Sequence, residues 1–301
     1  MPRRLAVVDM GSSTLKFSVT EVGPTGEERV IHAYAETVRL GAGVAVHGSI
    51  EPERLERALI ALRHYELVAK SYGVEACIGV ATAALRMASN GDDLLDRIHR
   101  TTGWDISVIT GADEARLAFK GLAGSLPSDK DSLLVDIGGG STELMGIANR
   151  TLVASESLDI GSGTLADRCF EHDPPGLPAL LDAVRDAGET LIPSAVLPIA
   201  SAPALFFSGG NGQFLKAFAN WPVVDIPFTP DRFRDVLSAL AAVDSVPLAS
   251  YLDIAPERAR MLPAGAAIAM AVIDRARPES IDAVPSGIRG GIVADWFAAH
   301  P

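Results

Sequence analysis

Leu133-Leu134-Val135-Asp136-Ile137-Gly138-Gly139-Gly140-Ser141-Thr142-Glu143-Leu144 decides how this chain is read. An apolar, β-prone run ends in an Asp, and three glycines, two hydroxyls, a Glu and more apolar residues follow. The pattern predicts strand, tight turn, strand. A plain two-residue hairpin needs one glycine or Asn-Gly, not three glycines between an Asp and Ser-Thr-Glu. Residues without Cβ let the backbone turn sharply and bring successive N–H groups close to a ligand, a concavity suited to phosphate oxygens. Asp136 stands at the lip, where a carboxylate can hold a hydrated Mg²⁺ beside those phosphates.

Leu5-Ala6-Val7-Val8-Asp9-Met10-Gly11-Ser12-Ser13-Thr14-Leu15 repeats the design 127 residues earlier. Both stretches read apolar strand, Asp, glycine turn, hydroxyls, apolar strand. The echo points to two related halves with two Asp-ended phosphate loops across a shared cleft.

The rest of the chain agrees with an α/β reading. Strands are expected over 5–8, 15–22, 30–37, 74–80, 104–109, 142–147, 152–158 and 280–284, with another at 205–207. Helices are expected over about 52–72, 92–100, 112–121, 164–170, 177–191, 231–242, 264–275 and 290–299. The 52–72 helix repeats apolar residues at 55, 58, 59, 62, 65 and 69, one helical face. Ser89 or Asn90 is the expected cap of 92–100. The polar, turn-rich stretch Gly124–Asp131 marks the boundary between a first domain, 1–128, and a second, 129–301. The last stretch, about 286–301, is free to pack back on the first domain.

With 301 residues and 48% hydrophobic content the chain has ample material for a packed core. Its formal charge of −12 argues against non-specific binding to nucleic acid or membranes. If the substrate is a polyanion, attraction must come from backbone N–H groups, a divalent metal and a few placed Arg or Lys. Cys77 and Cys169 show no metal-ligand spacing and no disulfide framework and are expected to be buried, reduced thiols. No signal peptide is apparent, and the most membrane-like stretch, 264–273, is too short to span. A soluble, cytoplasmic protein is expected.

Glycine turns follow strands at Gly11, Gly138–Gly140, Gly161–Gly163 and Gly209-Gly210. None matches the Walker loop or the dinucleotide fingerprint. Glu114 lies in the first turn of a predicted helix, whose N-terminus favours the ionised form that accepts a proton from water; from spacing alone a simple charge–dipole role accounts for it better, and Asp113 is its rival. Glu143 leaves the glycine loop beside Asp136, where it serves either the metal or the attacking water. Arg86 and Arg39 follow strands and can grip phosphate or form surface ion pairs. Lys16 and Thr82 are further candidate contacts. The six His lack ligand spacing and no Ser sits in a nucleophile elbow, which favours metal-assisted general-base chemistry over a covalent route.

Asp9-Met10-Gly11-Ser12-Ser13, Val38-Arg39-Leu40-Gly41, Ala81-Thr82-Ala83-Ala84-Leu85-Arg86, Gly111-Ala112-Asp113-Glu114-Ala115-Arg116-Leu117, Val135–Leu144 and Ser208-Gly209-Gly210 resemble, in order, the motifs of the exopolyphosphatase and guanosine pentaphosphate phosphohydrolase (Ppx/GppA) family. The resemblance covers essentially the whole chain and is strongest before residue 165. It implies a two-domain actin-like, sugar-kinase-like ATPase fold of duplicated ribonuclease-H-like domains with the site in the interdomain cleft. It implies removal of terminal phosphate from polyphosphate, or of the 5′-γ-phosphate from pppGpp, with Mg²⁺ or another divalent cation. Glu114 falls on the family's catalytic glutamate, Arg86 on its phosphate-contacting arginine, and Asp136 and Glu143 on its acidic pair, with Asp9 a third metal candidate. Phosphate contacts are expected from Gly11, Ser12, Ser13, Lys16, Thr82, Gly138, Gly139, Gly140, Ser141 and Thr142, and from Gly209 and Gly210. The expected partners are polyphosphate or guanosine penta- and tetraphosphate, and the reading leaves room for a homodimer. Ser13 stands where the family usually has Asn, Asn211 stands where its third turn usually has Thr, and the chain resembles the short form without extra C-terminal helical domains. A small-molecule kinase of the same fold, or a non-catalytic (p)ppGpp sensor, are the alternatives.

Overall fold

The structure is a computed structural model that describes residues 2–23, 27–126, 131–199, 204–219, 229–285 and 287–300. The first half carries β1 (Arg3–Met10), β2 (Thr14–Val22), β3 (Glu28–Thr37), α1 (Val44–His47), α2 (Pro52–Ser71), β4 (Ala76–Ala81), α3 (Ala83–Met87), α4 (Gly91–Thr102), β5 (Ile106–Val108) and α5 (Gly111–Leu122). The second begins with β6 (Ser132–Ile137), β7 (Thr142–Ala148), β8 (Thr151–Leu158), α6 (Ser162–Cys169), α7 (Leu177–Leu191), α8 (Val196–Ile199), β9 (Ala204–Ser208) and α9 (Gly209–Ala219). It ends with α10 (Pro230–Leu240), α11 (Ser245–Leu252), α12 (Pro256–Ala259), α13 (Leu262–Ala276), β10 (Ser280–Val284) and α14 (Ile288–Ala299).

Among the described residues the strands form two five-stranded sheets, ordered β3-β2-β1-β4-β5 and β8-β7-β6-β9-β10. In each, the first three strands form an antiparallel meander and the other two join parallel to its first strand. The sequence echo is therefore a duplication of topology. Its register repeats too: Asp9 pairs with Lys16 as Asp136 pairs with Glu143. Each turn closes with the same bond, Gly11 N–H to the Thr14 carbonyl at 3.2 Å and Gly138 N–H to the Ser141 carbonyl at 2.9 Å.

Both faces of the central strands are covered, as an apolar run without polar alternation requires. Ala6 and Val8 of β1 face Leu55, Leu59 and Leu62 on the predicted face of α2. Leu133 and Val135 of β6 face the helices of the second half, among them α13. The opposite faces, Leu5 and Val7 on one strand and Leu134 on the other, enter a shared core with Ala115 and Ala118 of α5 and Ile288, Ile292 and Val293 of α14. The last helix thus does pack back on α5 and β1. This approach needs glycine: a Cβ on Gly121 would stand 2.0 Å from the Gly287 carbonyl oxygen, and one on Gly291 would stand 2.1 Å from that of Leu117.

Several expectations change. The Asn90 side chain does not cap α4; it donates to the Ile50 carbonyl and accepts from the Ile50 N–H, both at 3.0 Å, tying down the loop before α2. The fifth strand shortens to Ile106–Val108 because Trp104 is drawn into the core, its indole donating to the Leu62 carbonyl at 3.1 Å. Cys77 is exposed, near the start of a strand whose buried half begins at Gly79, and Cys169 is half-buried, so neither is a core thiol. The boundary at 128/129 and most of the turn at 23–26 lie outside the described residues. Among the described residues no helix is long and apolar enough to cross a membrane.

Candidate active site

The glycine turns meet in one cavity of ≈ 70 Å³ at the carboxyl ends of β1 and β6. Their closeness explains the glycines. A Cβ on Gly139 would stand 2.9 Å from the Ser13 nitrogen, and one on Gly161 would stand 2.5 Å from the Gly139 carbonyl carbon. The third turn grips the carbonyl side of the central loop: Ser162 N–H donates to Gly138 at 2.9 Å, and Gly163 and Thr164 N–H donate to Gly139 at 2.9 and 3.1 Å. Asn211 adds a staple, its amide donating to the Ile137 carbonyl at 2.6 Å and the Ser162 hydroxyl at 3.2 Å. Among the described residues the Gly139 and Gly140 N–H groups have no protein acceptor, so the loop's unused capacity is the donor edge that a phosphate needs.

Four buried carboxylates surround that loop: Asp9, Glu114, Asp136 and Glu143. Glu114 comes from α5. Thr110 caps that helix by accepting from Asp113 N–H at 3.1 Å, and its hydroxyl donates to the Asp113 carboxylate at 2.7 Å. Asp113 is thereby held half-exposed at the helix start while Glu114 points into the cavity. Arg86 from α3 donates to Glu114 at 3.4 Å and to the Ile109 carbonyl at 2.9 Å. Burial raises Glu114 to about 7, with the charges of Asp9 and Asp136 adding and Arg86 opposing. The helix terminus does not keep this carboxyl strongly acidic, because desolvation outweighs it. Burial also pushes Asp136 up, with Lys16 and the Ser208 hydroxyl opposing and Asp9 adding. Glu143 lies well above the usual carboxylate range, through burial first and then the charges of Glu114 and Asp136. Its carboxylate accepts from Ser157 at 2.8 Å.

Of the predicted residues, Asp9, Gly11, Ser12, Ser13, Lys16, Thr82, Glu114, Asp136, Gly138, Gly139, Gly140, Ser141, Glu143 and Gly210 line the cavity. Lys16 approaches Asp9 at 3.7 Å. Thr142 does not reach the wall: it is fully buried and donates to the Ile160 carbonyl at 2.6 Å, so its hydroxyl is spent on the fold. Gly209 lies behind Asp136, where a Cβ would meet the carboxylate oxygen at 2.8 Å. Arg86 touches Glu114 but is outside the lining. Arg39 is not in the cavity either; it pairs with Asp167 at 2.5 Å. Thr14, Ile137, Ser162, Asn211, Arg258, Met261 and Ile288 also line the cavity. Ser162 and Asn211 belong to glycine turns visible in the sequence, but nothing there marks Arg258 or Met261. The Arg258 guanidinium lies 4.6 Å above the Phe214 ring and presses on Gly210.

The donor set suits a hard divalent cation, since every candidate ligand is an oxygen and the carboxylates repel one another. The predicted trio Asp9, Asp136 and Glu143 is not a ready-made cage, however. Among the described residues no three Asp, Glu, His or Cys converge closely enough to chelate an ion. The fit is to an ion such as Mg²⁺ that takes one or two carboxylates and completes its shell with water and phosphate oxygens.

Comparison with known proteins agrees with this architecture. The pattern defining the Ppx/GppA phosphatase family matches residues 19–300. Exopolyphosphatase 2 of Mycobacterium tuberculosis is 36% identical over 226 residues, covering 72% of this chain and 70% of the relative. Exopolyphosphatase 1 of Mycobacterium leprae is 27% identical over 299 residues, covering 96% and 88%. The crystal structure of an exopolyphosphatase from Cytophaga hutchinsonii superposes with a TM-score of 0.90 at 24% identity, covering 99% and 98% of the two chains. That of the Aquifex aeolicus Ppx/GppA family member gives 0.78 at 22% identity, covering 100% and 99%.

Proposed function

The chain belongs to the Ppx/GppA phosphatase family, and on that premise we propose that it hydrolyses the terminal phosphoanhydride bond of inorganic polyphosphate, with the 5′-γ-phosphate of pppGpp as a second substrate of the same chemistry. The observation that carries the reading is the buried Glu114 carboxyl, raised to about 7 and sharing one cavity with two phosphate loops and three further carboxylates. A group titrating near neutrality is well placed to act as a general base, being partly ionised and still basic enough to take a proton.

In this reading the free N–H groups of Gly139 and Gly140, with the Ser12–Ser13 side of the first turn, hold the terminal phosphate. Glu114 orients a water and takes its proton as the oxygen attacks phosphorus. The bond from phosphorus to the bridging oxygen breaks, and the electron pair leaves with the shortened chain. Arg86 holds the Glu114 carboxylate in place by its contact at 3.4 Å, so its role is positioning. Asp136, with Asp9 or Glu143, would hold Mg²⁺, which when bound neutralises phosphate charge and eases departure of the bridging oxygen. The same reading divides the chain near 128/129 with 286–301 completing the first domain, and the seat of α14 on α5 and β1 supports it.

The test is phosphate release from polyphosphate and from pppGpp by wild type and Glu114→Gln under Mg²⁺. Turnover by wild type and its loss in the variant are expected. ATP-dependent phosphorylation of a small acid without phosphate release from polyphosphate would favour a kinase instead, and tight pppGpp binding without turnover would favour a sensor.

A further inference from the structure

The direction of the free N–H groups of Gly139 and Gly140 is set on the carbonyl side of their loop. A trans peptide is planar, so its C=O and the N–H of the next residue point in opposite directions. Successive carbonyls of the loop are each pinned. That of Ile137 accepts from the Asn211 amide at 2.6 Å. That of Gly138 accepts from Ser162 twice, from its N–H at 2.9 Å and its hydroxyl at 3.1 Å. That of Gly139 accepts from the N–H groups of Gly163 and Thr164 at 2.9 and 3.1 Å. Each N–H across those peptides is thereby turned away from its pin. Gly138 N–H meets the Ser141 carbonyl at 2.9 Å, and the N–H groups of Gly139 and Gly140 are left for the cavity.

The pins are packed without slack. Ser162, Gly163 and Thr164 open α6, and their N–H groups are donors that the helix itself cannot pair. A Cβ on Gly163 would stand 2.8 Å from the Gly139 carbonyl oxygen. Asn211, in the first turn of α9, is backed by α13, where a Cβ on Gly265 would stand 2.7 Å from its Oδ1. Its amide also donates to the Ser162 hydroxyl at 3.2 Å, so one chain of bonds runs from Asn211 through Ser162 to Gly138. Hydrogen bonds in such a chain polarise one another. The positive end of α6 is bonded to the same peptides whose N–H groups face the cavity, which makes those groups stronger donors.

We propose that the start of α6, steadied by Asn211, aims and strengthens the phosphate-binding N–H groups of Gly139 and Gly140, with Ser162 and Asn211 as positioning residues for the reaction. The Ser162 hydroxyl and the Asn211 amide already donate to protein acceptors, so they act through the loop rather than on substrate. Polyphosphate and pppGpp present the same terminal phosphate, so both substrates feel the two residues alike. This rests on the hydrolase reading above.

The experiment measures KM and kcat on polyphosphate and pppGpp, and inhibition by inorganic phosphate, for wild type, Ser162→Ala, Asn211→Leu and the double variant. Each is assayed well below its own melting midpoint. Leu keeps the branched shape of Asn and removes its donors. In Asn211→Leu the inhibition constant of phosphate and both KM values are expected to rise about tenfold, the scale of one buried hydrogen bond. Ser162→Ala should raise them about threefold, because its N–H still holds Gly138. The rising limb of the pH profile belongs to Glu114 and should stay at about 7. A merely structural defect would lower the melting midpoint and leave inhibition by phosphate unchanged. Unchanged inhibition in both Asn211→Leu and the double variant overturns the proposal, as do unequal KM rises on two substrates that wild type turns over. If wild type releases phosphate from neither substrate, the hydrolase reading itself fails; turnover by wild type with variants that match it removes only the roles of Ser162 and Asn211.

Discussion

Arg86 lies 3.4 Å from the Glu114 carboxylate and is anchored to the Ile109 carbonyl at 2.9 Å, outside the lining of the catalytic cavity. The pair orients the carboxylate, and the guanidinium opposes the upward shift that burial and Asp9 impose on it.

Glu114→Gln keeps the size and packing of the side chain and removes the base. The expected loss in kcat is about 10²- to 10⁴-fold, the range for a positioned general base. A phosphate-release assay on polyphosphate checks it, and full activity in the variant would sink the role given to Glu114.

The active form of that base is ionised, so kcat/KM should rise with pH through about 7. Arg86 is the cation opposing the upward shift. Arg86→Gln should therefore move the rising limb to higher pH, besides lowering the rate through loss of positioning. A limb that stays in place in the variant would mean that Arg86 does not govern the ionisation.

The same shift links to stability with a definite sign. The Glu114 carboxyl titrates near 4.5 when unfolded and about 7 when folded. Between those values the native state binds the extra proton, so raising the pH costs stability, and the cost is complete above about pH 7. Without divalent cation, Glu114→Gln should be more stable than wild type at pH 8, by about 3 kcal/mol, and nearly equal to it at pH 4.5. Thermal unfolding at the two pH values decides the matter; a gap that widens on acidification would contradict the assignment.

Mg²⁺ should raise the Tm of wild type, because an ion that binds only the folded state stabilises it and here relieves repulsion among Asp9, Asp136 and Glu143. Asp136→Asn should lose most of that increment. An undiminished increment in the variant would place the ion elsewhere.

The crossing of α5 and α14 controls Glu114 from a distance. Gly291→Ala inserts a methyl 2.1 Å from the Leu117 carbonyl oxygen, and overpacking of this kind costs about 1–3 kcal/mol. Because α5 carries the base, a fall in kcat should accompany the fall in denaturation midpoint. Unchanged stability would show that the helices can move apart.

Much of the site was legible because it is built from local pattern. The turns at Gly11 and Gly138 follow from glycine after a strand-ending Asp, and the register Asp9–Lys16 and Asp136–Glu143 reproduces the two aligned stretches. Local pattern could not separate Glu114 from Asp113, adjacent acids in one helical turn. The Thr110 cap takes Asp113 and the cavity takes Glu114. Nor could it show that Thr142 spends its hydroxyl on Ile160 or that Arg39 pairs with a residue 128 positions away. Arg258 and Met261 reach the cavity through the packing of α12 and α13, which leaves no periodic mark.

By itself the sequence determined the α/β character, the duplicated strand–loop–strand units and the loop chemistry of Asp136 to Glu143, because these depend on residues within a few positions of one another. Tertiary structure alone decided which carboxylates share a cavity and that burial lifts Glu114, Asp136 and Glu143. Desolvation and charge coupling depend on distances in space between residues far apart in the chain, and those distances exist only once the two sheets close on their shared core.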